Sequence, residues 1–196
     1  VSEWATLSAQ VSRCTACTEL AAARSHVVVG DYPARARVLL VGEAPGAQED
    51  ATGRPFVGRA GQALDAALEA VGMPRAEVAV VNILKCRPPG NRRPLPQEMA
   101  NCRGWLERQL ALIDPAVIVG LGLTAIAGLW DGAATAKKSD LVLRLLRERS
   151  LSAGGYPFLA TYHPSGALRY GPNGAPMQAL RDDLARARAM AAEARS

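Results

Sequence analysis

Arg37-Val38-Leu39-Leu40-Val41-Gly42 sets four aliphatic residues in a row between a charge and a glycine, with nothing polar on alternate positions. A strand of that kind is buried on both faces, which happens in a parallel sheet packed between helices. Glu77 to Ile83 and Ala116 to Gly122 repeat the pattern. Gly61 to Val71 carries Leu64, Ala67, Leu68 and Val71 at helical spacing and stops at Gly72, with Pro74 beyond. Cys86 to Pro96 reads as a long loop rich in Pro and Arg, and Gln97 to Leu112 as a second helix. The order β, α, β, α, β predicts an α/β fold with right-handed crossovers. Such sheets collect ligands at the carboxyl ends of their strands, so the loops after Val41, Asn82 and Tyr162 are expected to share one cleft.

The flanks complete the reading. Residues 1–24 are expected to form a helix, 25–30 a short strand turning at Asp31-Tyr32-Pro33, Leu141 to Glu148 a helix, Phe158 to Thr161 a final strand and Met177 to Ala194 an amphipathic terminal helix. The 196 residues suit one domain, 1–196, with no repeat or linker. The longest apolar run, Val117 to Gly128, is too short for a membrane span, and no export signal is read at the start. A cytoplasmic, monomeric protein is the expectation. The formal charge of +5 suits a polyanionic partner but equally suits many basic proteins that bind none.

Four cysteines without export features point to a metal or redox site rather than disulfides. Cys14 and Cys17 form a CxxC pair, and Cys86 and Cys102 come from a loop and the start of a helix. One four-thiolate site fits, holding either zinc or an iron–sulfur cluster, against the alternative of buried free cysteines. Gly42 to Asp50 and Arg54 to Gly61 form glycine-bearing loops in which the backbone approaches a ligand closely, but neither has phosphate-loop spacing. Glu43, Glu49 and Asp50 read equally as a solvated acidic turn, and Phe56 as a core aromatic. His163, one of two histidines, follows a strand and is suited to donate to charge on a leaving group, or it is a surface residue. His26 reads as structural. Lys85, Arg87, Arg92 and Arg93 alternate with prolines that stiffen the loop and suit phosphate contacts. Arg144, Arg147 and Arg149 read as an exposed helical face.

Taken together, GEAPGAQED, GRPFVGRAG, NILKCRPPGNRRPLP and HPSGALR resemble the motif set of the family 4 uracil-DNA glycosylases, in order and spacing from about Cys14 to Arg169. The resemblance implies a three-layer α/β/α fold around a four-stranded parallel sheet. It also implies one structural 4Fe-4S cluster on Cys14, Cys17, Cys86 and Cys102. Uracil is expected between the backbone of Gly42, Glu43 and Ala44, the ring of Phe56, the amide of Asn82 and the imidazole of His163. An amide offers both donor and acceptor and so rejects the exchanged pattern of cytosine. Because Ala44 stands where better-known relatives carry a water-orienting aspartate, Glu49, then Glu43, is the candidate for that task. Ser165 and either Leu168 or Arg169 are expected to engage and wedge uracil-containing single- and double-stranded DNA. No histidine occurs in Asn91-Arg92-Arg93-Pro94, so turnover rather than covalent trapping is implied. A bacterial, nucleoid-associated location follows from the same resemblance. Residues 131–157, with Lys137-Lys138 and a helical Asp140 to Arg149, depart from the family pattern. A redox-signalling nucleic-acid sensor without base release, and a zinc-stabilised hydrolase, are the rival readings. The intact set Phe56, Asn82 and His163 favours the enzyme.

Overall fold

The structure, a computed structural model, describes residues 2–136 and 142–194. Its centre is the parallel sheet that the apolar runs require: β1 (Val38–Gly42), β2 (Val78–Asn82), β3 (Val117–Leu121) and β5 (Tyr156–Thr161). The spatial order is β2-β1-β3-β5-β4, with every pair parallel except the last. The short edge strand β4 (Leu151–Ala153) runs antiparallel to β5 and extends the expected four strands to five. It pairs through the hairpin turn at Gly154-Gly155, both at positive φ.

Alternation along each strand divides the core in two. Val38 and Leu40 face one cluster, completed by α4 (Arg59–Ala70), α8 (Pro164–Leu168) and α9 (Ala175–Glu193). Leu39 and Val41 face the other, completed by α5 (Pro96–Ile113) and α6 (Leu123–Leu129). Nearly every strand residue is fully buried, so the sheet is a rigid base from which loops project.

The N-terminal expectations need correction. Residues 1–24 hold two helices, α1 (Glu3–Ser12) and α2 (Thr18–Ala23), and the Cys14–Cys17 pair occupies the break. Residues 25–30 form no strand. They run extended, held by the Val28 N–H to Lys85 O bond at 2.7 Å and by an isolated bridge between Asp31 and Val80. Residues 47–52, read as part of a turn, form a further short helix, α3 (Ala47–Thr52). Of the helix expected over Leu141 to Glu148, α7 (Leu143–Leu146) is present. Lys137, Lys138 and Asp140 lie outside the described residues.

Candidate active site

The chain leaves β1 to build β2 on one side and returns to build β3 on the other, so the crevice for a ligand opens between the carboxyl ends of β1 and β3. A cleft of about 670 Å³ lies there. It is lined by Glu43 and Ala44 after β1, Asn82 at the end of β2, Gly122, Leu123 and Thr124 after β3, and His163 and Ser165 after β5. Phe56, Glu49, Arg92, Arg93 and Arg169 complete its walls. The three loops expected to converge do so. Gly122, Leu123 and Thr124 were missed because the apolar run Val117 to Gly128 gives no polar signal where the strand ends.

Asn82 is 2% exposed, and its side-chain Oδ1 is buried without a hydrogen-bond partner among the described residues. An unmet acceptor of this kind costs about 1–3 kcal/mol and is explained when a ligand supplies the donor. Gly42 stands beside it: a Cβ there would come within 2.4 Å of Asn82 Oδ1 and 2.5 Å of Phe56 Cζ. Any side chain at 42 would therefore displace either the amide or the ring. Phe56 itself is buried, adopts positive φ of 51° and lies 5.8 Å from the His163 ring centroid to centroid. Its carbonyl packs so closely on α4 that a Cβ at Gly61 would meet it at 1.8 Å. The ring is thus fixed by backbone, not by side-chain packing alone.

His163 caps α8. Its Nδ1 accepts the Ser165 backbone N–H at 3.2 Å and lies 2.8 Å from Ser165 Oγ. Burial in the cleft lowers its pKa from the ordinary 6.5, while the nearby carboxylates of Glu43 and Glu49 pull weakly the other way. A neutral ring whose Nδ1 accepts a backbone N–H carries its proton on Nε2, which leaves Nε2–H as the free donor.

The two carboxylates are not equivalent. Glu49 Oε1 accepts the N–H groups of Val57 and Gly58 at 2.9 and 2.8 Å, and Oε2 accepts that of Gly46 at 3.1 Å. Glu49 therefore ties the start of α3 to the start of α4. The half-buried Glu43 carboxylate has no hydrogen-bond partner among the described residues.

Lys85 is not a phosphate contact. It is 1% exposed, and its Nζ donates to the Asn82 carbonyl at 2.6 Å. Arg87 Nε is turned back onto Asn91 Oδ1 at 2.7 Å. Arg92 lines the cleft while paired with Glu98 at 2.6 Å and Glu19 at 3.1 Å. Arg93, Ser165 and Arg169 are exposed at the cleft, whereas Leu168 is half-buried and outside its lining. Of the two wedge candidates, the geometry brings only Arg169 to the cleft. His26 is structural as expected: its Nδ1 lies 2.7 Å from the Asp50 carbonyl, and the Asp50 carboxylate accepts the Ser25 N–H. Asp50 is thus an anchor for the N-terminal segment.

Three of the four thiols, those of Cys17, Cys86 and Cys102, share a cluster of side chains behind this cleft. Cys86 and Cys102 are buried with Leu20 and Leu84, and Cys17, Ala44 and Trp105 pack against them. Arg24 donates to Cys86 Sγ at 3.1 Å and to the Cys14 carbonyl at 2.7 Å, and Asn101 donates to Cys17 Sγ at 3.4 Å. Burial pushes the Cys102 thiol up to about 11 and raises Cys86 as well. Thiolates in this setting require a compensating cation.

A family model described as the uracil DNA glycosylase superfamily matches residues 29–185. A curated type-4 uracil-DNA glycosylase of Thermotoga maritima is 43% identical over 163 residues, covering 83% of this chain and 82% of its own. Its counterpart in Pyrobaculum aerophilum is 38% identical over 148 residues, 74% of this chain and 75% of its own. That of Sulfurisphaera tokodaii is 36% identical over 171 residues, 84% of this chain and 74% of its own.

Proposed function

The chain belongs to the uracil-DNA glycosylase superfamily, alongside its type-4 members, and from that premise we propose how its cleft performs the reaction. The protein is a DNA-repair glycosylase that takes uracil out of the DNA stack and hydrolyses its N-glycosidic bond, leaving an abasic site. The observation that carries this reading is the buried, unpartnered Oδ1 of Asn82 at the end of β2. Uracil presents a ring N–H flanked by two carbonyls, whereas cytosine presents a bare ring nitrogen at that position and an amino group in place of one carbonyl. An amide held in one orientation therefore accepts the first and rejects the second. Phe56 supplies the apolar wall on which the extruded base stacks. As the glycosidic bond breaks, negative charge grows on a uracil carbonyl oxygen, and the Nε2–H of neutral His163 is the donor that meets it.

Water attack needs a carboxylate with a free oxygen. Glu49 has three backbone N–H groups already on its carboxylate, which makes it a poor base and an effective brace for the loops around Phe56. Glu43, unencumbered and in the same cleft, is the better candidate to orient water or to stabilise the developing positive sugar. Arg93, Ser165 and Arg169 line the side from which a DNA backbone approaches.

We propose that the four cysteines hold a 4Fe-4S cluster: Cys17, Cys86 and Cys102 share one group of packed side chains, Arg24 joins the Cys14 carbonyl to Cys86 Sγ, and N–H groups are directed at Cys86 and Cys17. Such a cluster supplies a covalent cross-link between the N-terminal segment, the loop after β2 and α5. Base excision transfers no electrons, so that role is structural.

The test is release of free uracil from a uracil-containing oligonucleotide by anaerobically purified protein in EDTA. Asn82→Ala, His163→Ala, Glu43→Gln and Glu49→Gln are run beside the parent. Uracil release that falls at least 100-fold in the first two, with Glu43→Gln slowed at unchanged stability and Glu49→Gln destabilised, supports every assignment. Absence of release from the parent overturns the function. Wild-type rates in Glu43→Gln return the water to Glu49.

A further inference from the structure

Phe56 carries its ring into the pocket on a backbone φ of 51°, a conformation that a bulky residue keeps only where its surroundings impose it. The peptide after Phe56 is held by α3 and α4: its carbonyl packs against Gly61, and the Val57 N–H donates to Glu49 at 2.9 Å. The peptide before it is held from elsewhere. Arg75, in the single helical turn Arg75–Glu77 that leads into β2, donates from Nη2 to the Pro55 carbonyl at 2.9 Å. The same guanidinium pairs with Asp65 of α4 at 3.1 Å and with Asp31 at 3.2 Å. Asp31 is in turn bridged to Val80 of β2 by two backbone hydrogen bonds of 2.9 Å. A planar fork with donors on both arms spans these three acceptors in one arrangement, which the point charge of a lysine does not. Neither Arg75 nor its two carboxylates line the cleft.

We infer that Arg75 is a positioning residue for base stacking: it locks the Pro55–Phe56 peptide and so sets the Phe56 ring against the Asn82 amide. β2 carries Asn82 at its carboxyl end and Asp31 along its free edge, so the guanidinium refers the ring and the amide to one strand. Ring and amide crowd the same point above Gly42, where a Cβ would lie 2.5 Å from Phe56 Cζ and 2.4 Å from Asn82 Oδ1. A Pro55 peptide released from Arg75 is free to turn, and the ring turns with it, out of the plane on which a flat base stacks. This rests on the reading of the cleft as a uracil pocket. The consequence is that the stacking wall depends on an ion-pair network outside the cleft, with no change in any residue that touches the base.

The experiment is a double-mutant cycle on the anaerobically purified protein: parent, Arg75→Met, Phe56→Leu and the two together. Leucine keeps apolar bulk without a flat face, so it leaves Arg75 nothing to aim. For uracil release, kcat/KM is expected to fall roughly tenfold in Arg75→Met, and by less than about twofold when the same change is made in Phe56→Leu. A second readout needs no activity. The chain has two phenylalanines, and Phe158 is buried in the core cluster on the other face of the sheet. In protein labelled with fluorinated phenylalanine, Arg75→Met is expected to move or broaden the Phe56 resonance, assigned through Phe56→Leu, and to leave that of Phe158 in place. Equal losses of kcat/KM in both backgrounds, no loss in either, or resonances that both move or both stay, overturn the inference. If Arg75→Met does not fold, Arg75→Lys, which keeps the charge beside Asp31 and Asp65 without the fork, is put through the same cycle and the same spectrum. If the parent releases no uracil, the functional reading fails by itself, and the resonances still report whether Arg75 places the ring.

Discussion

His163 is held by its own turn, and that fixes its chemistry. With Nδ1 occupied by the Ser165 N–H and burial lowering its pKa below 6.5, the ring is neutral at physiological pH and donates from Nε2. Single-turnover uracil release is therefore expected to stay flat from about pH 8 down through 6.5 and to fall only in more acidic solution, where the ring gains a proton. A midpoint at or above 6.5 contradicts the neutral donor. The stability linkage has a definite sign. On acidification the unfolded chain takes up the proton near 6.5 and the folded one only later, so His163 costs nothing above that value and subtracts stability below it. Replacing it with alanine flattens the acid limb of the stability curve, as urea midpoints measured across that range will report. His163 was legible because HPS follows a strand in a chain with two histidines. Lys85 was not: a lysine in a run of arginines and prolines reads as exposed, and only the turn between Asn82 and Lys85 sends it inward. The bracing by Glu49 was hidden for the same reason, since its partners at Val57 and Gly58 come from the next loop.

Elements were readable where burial leaves one solution. β1, β2 and β3 fall within or at the ends of their apolar runs because a strand covered on both faces is built almost wholly of apolar residues, Asn82 at the end of β2 being the exception. α6 was hidden for a different reason: its residues are as apolar as those of the strand before it, so the apolar run continues across Gly122, whose positive φ of 87° makes the break. β4 is short and depends on pairing with β5, which no local signal announces. The passage around α7 was read as an exposed basic face, yet Arg147 donates to Asp183 at 2.6 Å and to the Ala179 carbonyl at 3.1 Å. Asp183 is 2% exposed, so this pair fastens α7 to α9 through an almost fully desolvated carboxylate. Removing one partner of such a pair leaves the other charge buried and costs about 3–5 kcal/mol. Arg147→Met is expected to lower the unfolding free energy by about 3 kcal/mol. Arg144→Met, on the exposed side of the same helix, stays within about 0.5 kcal/mol. Denaturant midpoints of the two variants measured side by side decide it, and equal midpoints would mean that the pair is not a fastening.

Across the whole molecule the charge of +5 does not map onto a single DNA footprint, because many of the cations are occupied internally. Lys85 is buried on the Asn82 carbonyl, Arg24 bonds Cys86 and Cys14, Arg75 pairs with Asp31 and Asp65, and Arg147 pairs with Asp183. Among the described residues, the cations left at the cleft are Arg93 and Arg169, with Arg92 shared between the cleft and its two glutamates. Affinity for duplex DNA falls with salt in proportion to the phosphates neutralised, with a slope of about −0.9 for each. Arg93→Gln and Arg169→Gln are therefore each expected to reduce the slope of log affinity against log salt by about one. Arg103→Gln removes a charge that is 70% exposed on α5 and paired with Glu107, and it should leave the slope where it was. If all three substitutions reduce the slope alike, association is driven by the diffuse field of a basic protein. If only the two cleft arginines do, DNA is held at the carboxyl ends of the strands, on the face where Asn82 and His163 line the cleft.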